Sequence, residues 1–353
     1  MTERLGCAWR MAGRGLAGHD ARVRVTMRGA IELPREVLIA EDCVGRTITG
    51  LKAGEADFEM SFPTLPPDMS GSGGERLTPP LGMDDLSEAL GESGWGYMGF
   101  GGAANRPRPL ASWIGAVGIS ASWSCTGGDE AEEANQATHF GAHFDSWFGL
   151  FGQWLELWSS QHVVTAEERP SRTRGQVRLS LDSRPAIRTG WSPPFRRVVT
   201  FHNSQAAIRY ATASSAAANA SERVALPLEW ELLQRATWTD DRRRSLIDAA
   251  TAAETGLAAA VRRELGGVGP DALETIIQSA NGIVGLVTLL ESLKPVQKSR
   301  RSRVADRLAG PRNRAAHQGA TPERTELEAA FNESEALLDL YSPRPSTHGR
   351  LGD

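Results

Sequence analysis

The sequence predicts an α+β protein, with a β-rich N-terminal domain containing one long amphipathic helix and a C-terminal bundle of four helices. Three observations predict this class. Short runs that alternate apolar and polar residues, as half-buried strands do, recur before residue 236. A stripe of aromatic residues at helical spacing interrupts these runs. After residue 236, apolar residues recur at helical spacing almost to the end of the chain.

Five runs in the N-terminal region have the composition and alternation of strands. Between them, residues 65–109 are rich in Gly, Pro and Ser, which predicts a surface loop or insertion. The predicted strands are residues 21–29, 56–62, 114–123, 176–182 and 196–202.

A single helix is predicted from about Glu130 to Ser160, because aromatic residues recur there every three or four positions. The plainest interpretation is a helix packed on the sheet. Two alternatives are a stacking platform for nucleic-acid bases and a surface for a partner chain. The stripe consists of Phe140, Phe144, Trp147, Phe151, Trp154, Leu155 and Trp158.

The C-terminal region contains signals for four helices with short connections, which is typical of an up-and-down bundle. The predicted helices run from a Thr239 or Asp240 cap to Leu265, from Pro270 to Leu293, from Pro311 onward, and from Pro322, after a Thr321 cap, to Tyr341. We therefore divide the chain into residues 1–235, a helical domain at 236–342 and a disordered tail at 343–353.

Composition limits the class of function. The net charge of −4 excludes a general polyanion-binding protein, so that any nucleic-acid surface must be a local patch. The three cysteines form no C-x-x-C pair, which argues against a zinc site and a disulfide framework and fits a reducing cytoplasm.

No targeting or membrane segment is predicted. The basic N-terminus has no apolar stretch of signal-peptide length, and Met11 or Met27 can equally be the first residue. The most apolar window, residues 140–158, contains ionisable residues such as Asp145 that are costly in a bilayer. We therefore expect a cytoplasmic protein without membrane contact.

Residues suited to phosphate chemistry concentrate between Arg312 and His317. If Pro311 begins a helix, the N–H groups of Arg312 and Asn313 are unpaired and form an anion-binding helix start. Asn313 and His317 are four residues apart and share a helix face, whereas Arg312 must reach around the first turn. Histidine transfers protons near neutral pH and arginine grips phosphate oxygens, so these residue types suit RNA cleavage without a metal.

A basic patch leads into this segment. Asp306 is the one acid among eight cations, which is the expected electrostatic footprint of a nucleic-acid-binding surface; the alternative is an exposed basic loop without a ligand. The cations are Lys294, Lys298, Arg300, Arg301, Arg303, Arg307, Arg312 and Arg314.

The segment R-N-R-A-A-H resembles the R-x4–6-H motif of the HEPN superfamily, whose common form is R-N-x-x-x-H. The helix at 245–261 is similar to the first helix of that family, whose acid would be Glu254 or, as the second choice, Asp248. The resemblance implies a metal-independent endoribonuclease without a cofactor, which leaves a 2′,3′-cyclic phosphate. It also implies a toxin or anti-phage defence effector, acting as a homodimer with a composite cleft.

The resemblance assigns roles to the motif residues. His317 would be the general acid–base, Arg312 would bind the scissile phosphate, Asn313 would orient both, and Glu254 would pair with Arg312. Contacts with RNA are expected from Arg314, Arg307, Arg303, Arg301, Arg300 and Lys298.

The order of a β-rich half, a Trp-rich helix and a bundle resembles ApeA-like HEPN defence proteins. It implies that residues 1–235 sense a phage or cellular trigger, or an antitoxin. The alternative is a non-catalytic protein in which the bundle dimerises and binds a nucleic acid or nucleotide. A separate histidine pair, His139 and His143, has zinc-ligand spacing, but no convincing third ligand accompanies it, so we interpret both as ordinary helix residues.

Overall fold

A computed structural model gives the structure of the protein. It describes residues 22–67, 76–84, 86, 90, 94–98, 111–126, 130–161, 175–181, 184–191, 207–294 and 299–347. The fold is α+β, as the sequence predicts: an antiparallel sheet occupies the N-terminal part, and helices dominate the C-terminal part.

The sheet has seven strands within the described residues. Six of them follow the order β2-β3-β5-β1-β6-β7, and a short strand, β4, pairs with β5 beside this path. The longest pairing joins β1 to β5 and contains a register shift between Glu32 and Val37. The strands are β1 (Arg22–Ala40), β2 (Thr47–Ala53), β3 (Ala56–Ser61), β4 (Gly96–Met98), β5 (Ala111–Thr126), β6 (Gly175–Leu181) and β7 (Arg184–Trp191).

Four of the five predicted strands are confirmed, as parts of β1, β3, β5 and β6; the fifth, residues 196–202, lies outside the described residues. Strands β2, β4 and β7 were not predicted. In β2, Gly50 adopts a φ of 71° and the pairing with β3 shifts register between Ile48 and Leu51. This bulge breaks the period of two that identifies a strand in a sequence. Strand β4 lies inside the predicted 65–109 loop.

Helix α1 (Glu130–Ser159) packs its aromatic stripe on the sheet. Phe58 of β3 lies at the centre of this contact, with ring centroids 6.0 Å from Phe140, 5.6 Å from Phe144 and 4.8 Å from Trp147. These rings are at most 4% exposed. The packing interpretation is confirmed. The base-stacking and partner-surface alternatives are wrong for these rings, because buried faces cannot meet a ligand.

Eight further helices follow among the described residues. They are α2 (Tyr210–Ser221), α3 (Leu228–Trp238), α4 (Arg242–Glu264), α5 (Pro270–Ser279), α6 (Ile283–Leu293), α7 (Arg301–Val304), α8 (Gly310–Gln318) and α9 (Arg324–Tyr341), with a π-helical turn, Ala305–Ala309, between α7 and α8. Helix α4 serves two cores: Ala249 and Ala252 face the cluster that contains the sheet and α1–α3, whereas Leu246 and Leu257 face the cluster with α6, α8 and α9. The predicted boundary at residue 236 therefore falls inside α3 and not between two separate cores.

The predicted second helix is wrong as a single element. Asn281 and Gly282 adopt φ values of 54° and 84°, a left-handed conformation that ends α5, and α6 begins at Ile283. The region after residue 236 therefore has more helices than the predicted four. Two predicted caps are also wrong. Asp241 caps α4 by accepting from the N–H groups of Arg243 and Arg244, and Glu323 precedes α9 without a side-chain cap.

No single described helix is long and apolar enough to cross a membrane. Helices α5 and α6 reach that length and composition only when taken together, and they are bent by 119° at their junction.

The chain beyond α9 contacts the N-terminal half. The sequence predicts disorder from residue 343. In the structure, residues 342–347, here called the C-terminal strap, are ordered against three helices, which donate hydrogen bonds to backbone carbonyls of the strap. These bonds run from Trp158 Nε1 to Pro345 O (2.9 Å), from Ser215 Oγ to Thr347 O (2.6 Å) and from Trp230 Nε1 to Ser342 O (2.9 Å).

Candidate functional site

The predicted motif lies on α8. Pro311 and Ala315 are buried against the bundle, whereas Asn313 and His317 are exposed and Arg312 is half-buried. Because an α-helix turns by about 100° per residue, residues four apart lie on one face. Asn313 and His317 therefore share the solvent-facing side of α8.

The Arg312 side chain contacts Asn313 and not His317. Its Nη1 donates to Asn313 Oδ1 at 3.1 Å. Five residues separate Arg312 from His317, which places them about 140° apart around the helix axis. Asn313 therefore lies between the cation and the imidazole and orients the guanidinium.

The predicted helix start at Pro311 is wrong. Helices α7 and α8 and the π-helical turn between them form one helical path from Arg301 to Gln318, and the Gly310 N–H donates to the Ala305 carbonyl, five residues back. In a regular α-helix a proline ring clashes with the carbonyl four residues earlier. The wider π-helical turn relieves this clash. The N–H groups of Arg312 and Asn313 thus lie inside a helix, which removes the predicted backbone anion site.

Close packing against the backbone explains why position 310 is a glycine. A Cβ atom at this position would lie 2.9 Å from the Ala305 carbonyl oxygen. Only a residue without a side chain fits without a shift of the backbone.

Glu254 and Arg312 are not joined. Glu254 is half-buried on α4, and neither a hydrogen bond nor an ion pair links it to Arg312 in the part of the chain that the structure describes. Asp248, the other predicted acid, pairs with Arg244 at 3.7 Å. The pairing that the resemblance implies is therefore absent from this arrangement.

The basic patch is largely neutralised by carboxylates from other parts of the chain. Five of its eight cations form ion pairs; Lys298 lies outside the described residues, and Arg307 and Arg312 have no acidic partner among the described ones. The pairs are Lys294 with Glu264, Arg301 with Glu291, Arg300 and Arg303 with Glu333, and Arg314 with Glu326. Predicted RNA contacts by these paired arginines would have to compete with these internal partners.

Glu333 is the most buried of these acids. Its side chain is fully enclosed, and one carboxylate oxygen, Oε2, accepts from Arg303 Nε at 3.0 Å and from Nη2 at 2.6 Å. Arg300 Nη1 lies 3.6 Å from the other oxygen. A buried carboxylate without a cation is strongly unfavourable. Arg300 and Arg303 therefore stabilise the fold by neutralising Glu333 of α9.

Glu291 fixes the beginning of the same segment. Burial alone would raise the pKa of Glu291, but the Arg300 N–H, the Ser299 hydroxyl and the Arg301 guanidinium together hold this pKa below its ordinary value of 4.5. The charged form of Glu291 therefore stabilises the fold above pH 4.5, and this stabilisation is lost as the pH falls through the lowered pKa.

We expect Glu291→Gln to reduce the free energy of unfolding at neutral pH, and the difference from the wild type to shrink below pH 4.5. Urea unfolding between about pH 7 and about pH 3 measures this difference. Glu328→Gln is the control, because it removes an exposed pair with Arg324 and should cost less than about 1 kcal/mol. A Glu291→Gln deficit that stays constant across this range would contradict the role assigned to the charge.

Arg243 contacts α8 and was not predicted. Its Nε donates to the Ala315 carbonyl at 2.8 Å, across 72 residues of sequence. Arg243 belongs to a run of three arginines at the start of α4, and nothing in the sequence distinguishes it from its neighbours. Only the packing of α4 against α8 reveals the contact.

The histidine pair on α1 stands apart from any cluster of metal-ligand residue types that the structure describes. His139 and His143 are exposed, and the described residues contain no group of three or more side chains that could hold a metal ion.

Comparisons with known proteins identify no relative of this chain. The chain matches no protein-family model, no curated protein and no solved structure.

Proposed function

We propose that the protein is a metal-independent endoribonuclease of the HEPN type, with a cleavage site on α8. The observation that carries this proposal is the hydrogen bond from Arg312 to Asn313 on the helix that also exposes His317. This arrangement places an oriented guanidinium, a polar side chain and an accessible imidazole on one helix. The match to R-N-x-x-x-H and the surrounding helices support the same assignment.

In the proposed reaction, the ribose 2′-oxygen bonds to phosphorus while the bond from phosphorus to the 5′-oxygen breaks, which leaves a 2′,3′-cyclic phosphate. His317 accepts the 2′-hydroxyl proton. Arg312 neutralises charge on the phosphate oxygens. The leaving 5′-oxygen needs a proton donor, and a homodimer that brings His317 of a second copy to the same phosphate supplies one.

The biological setting is part of the proposal. A toxin or anti-phage defence effector would act on cellular or phage RNA in the cytoplasm. The half of the chain that contains the sheet would sense the trigger or an antitoxin.

The test uses labelled total RNA incubated with the purified full chain in EDTA. We expect cleavage that resists the chelator, products ending in a 2′,3′-cyclic phosphate, and loss of this activity in His317→Ala. Equal, negligible cleavage by the two proteins, with and without a lysate that supplies a trigger, would reject the enzyme.

A second candidate function is a non-catalytic regulatory module that dimerises through its helices. The ion pairing of the basic segment favours it, because arginines bound to Glu291 and Glu333 are engaged within the protein. Under this alternative the full chain binds RNA or a nucleotide, or forms a dimer, without cleaving RNA in the same assay.

A further inference from the structure

The Arg243 side chain is held at its Nε, and its backbone lies in the capped first turn of α4. Its backbone N–H donates to Asp241 Oδ1 at 2.9 Å in the cap of α4, and its Nε donates to the Ala315 carbonyl at 2.8 Å. A long side chain normally loses entropy when it binds a ligand. Part of this side-chain entropy is already lost in the free protein, because Nε is bound to the Ala315 carbonyl.

The outer nitrogens of Arg243 remain available. Neither Nη1 nor Nη2 has a hydrogen bond or ion pair within the described part of the chain, and the residue is exposed. Asp241 accepts from the backbone N–H groups of Arg243 and Arg244, Asp248 pairs with Arg244, and Glu326 pairs with Arg314. Two parallel N–H groups of a held guanidinium match two oxygens of a phosphate.

Arg243 reaches α8 beside Arg312. Ala315 follows Arg312 by three residues, a spacing that makes them neighbours on a helix surface. His317 lies about 200° around the axis from Ala315, and therefore on another side of α8. Along the axis of α8, the Ala315 carbonyl that binds Arg243 and the backbone of Arg312 therefore lie within about one turn. Neither guanidinium has an acidic partner among the described residues.

We propose that Arg243 is a second phosphate-binding residue, which holds a phosphodiester of single-stranded RNA next to the one bound by Arg312. This inference rests on the proposed RNA substrate. It assigns backbone recognition to the α4–α8 junction and not to the ion-paired arginines of residues 300–303.

The experiment measures binding separately from cleavage. The probe is a fluorescein-labelled single-stranded oligoribonucleotide with 2′-O-methyl groups, which has no nucleophilic hydroxyl, and its affinity for the full chain is read by anisotropy at several salt concentrations. Arg243→Met should weaken binding about tenfold, corresponding to about 1.4 kcal/mol. The slope of log affinity against log salt should fall by about 0.7, as expected for one lost phosphate contact on a single strand.

Two variants separate charge from structure. Arg244→Met, one residue away, removes a guanidinium that is paired with Asp248 and should change the affinity less than about twofold. Arg243→Lys keeps a cation but not the fork, so it should restore the wild-type salt slope and only part of the affinity. Inorganic phosphate, as a competitor, should displace the probe only at concentrations far above those of the oligonucleotide, because it occupies one subsite.

The outcomes distinguish the two proposals. If the wild type binds the probe but Arg243→Met is no weaker than Arg244→Met, or if the salt slope is unchanged, the role of Arg243 is rejected and the RNA function stands. If the wild type does not bind the probe, both are rejected. If the wild type binds the probe, Arg243→Met binds it more weakly than Arg244→Met, and no RNA is cleaved, the role of Arg243 stands and the nuclease is rejected.

Discussion

Replacing His317 with alanine is expected to slow chelator-resistant RNA cleavage by about 10²–10⁴-fold, the usual contribution of a positioned general acid–base. The loss should be confined to catalysis, because His317 is exposed on α8. Its removal should change the free energy of unfolding by less than about 0.5 kcal/mol. Initial rates on a fixed RNA substrate, measured beside urea unfolding, give the two quantities.

His139→Ala is the matched control for this substitution, because it also removes an exposed helix histidine, on α1. Its cleavage rate should equal that of the wild type. Cleavage by His317→Ala within threefold of the wild type would end the assignment of α8 as the site, whatever the origin of the activity.

Phe58→Ala should destabilise the N-terminal core by about 3–5 kcal/mol, the range observed when a buried phenylalanine is truncated. Phe58 is 2% exposed and makes edge-to-face contacts with three rings of α1. Alanine would lose these contacts and leave a cavity between sheet and helix. Urea unfolding followed by tryptophan fluorescence measures the change, since Trp147 is one of the three rings.

Leu81→Ala provides the comparison, because Leu81 is 98% exposed and should change stability by no more than about 0.5 kcal/mol. Phe58→Leu keeps most of the volume and should cost clearly less than alanine. A Phe58→Ala cost below about 1 kcal/mol would mean that the sheet and α1 do not form one core.

Parts of the fold could be predicted because local signals and tertiary packing agree there. The stripe from Phe140 to Trp158 marks one face of a helix, and the bounds predicted for α1 differ from those observed by one residue. By contrast, α2 was missed because its Ala- and Ser-rich sequence has no strong apolar period. Its buried residues are alanines, which pack closely without a large hydrophobic signature.

Two other misses concern backbone conformations that the apolar period does not show. Apolar residues continue across Asn281 and Gly282, so that nothing in the period reveals the 119° bend between α5 and α6. Pro311 suggests a helix start, but a π-helical turn accommodates it inside a longer helix. At Pro311 a tertiary constraint overrides a local preference. At Asn281 and Gly282 the residue types themselves favour positive φ, so this pair was the signal that could have placed the bend.

The candidate site could be predicted in sequence position but not in its surroundings. The spacing of Asn313 and His317 was enough to place them on one face of α8. The partners of the basic segment could not be inferred, because Glu291 and Glu333 approach it through folding, and they are as unremarkable in the sequence as any other helix glutamate. The same applies to Arg243, whose contact with Ala315 depends on how two helices cross.

The C-terminal strap links motions in the two halves of the molecule. Helix α9 holds Arg303 and Arg314 through Glu333 and Glu326, and the strap at its end is bonded to α1, α2 and α3. If those three helices move, either the hydrogen bonds of the strap break or the C-terminal end of α9 moves together with the helices. A conformational change beside the sheet would therefore alter the positions of Arg303 and Arg314, which are ion-paired with α9.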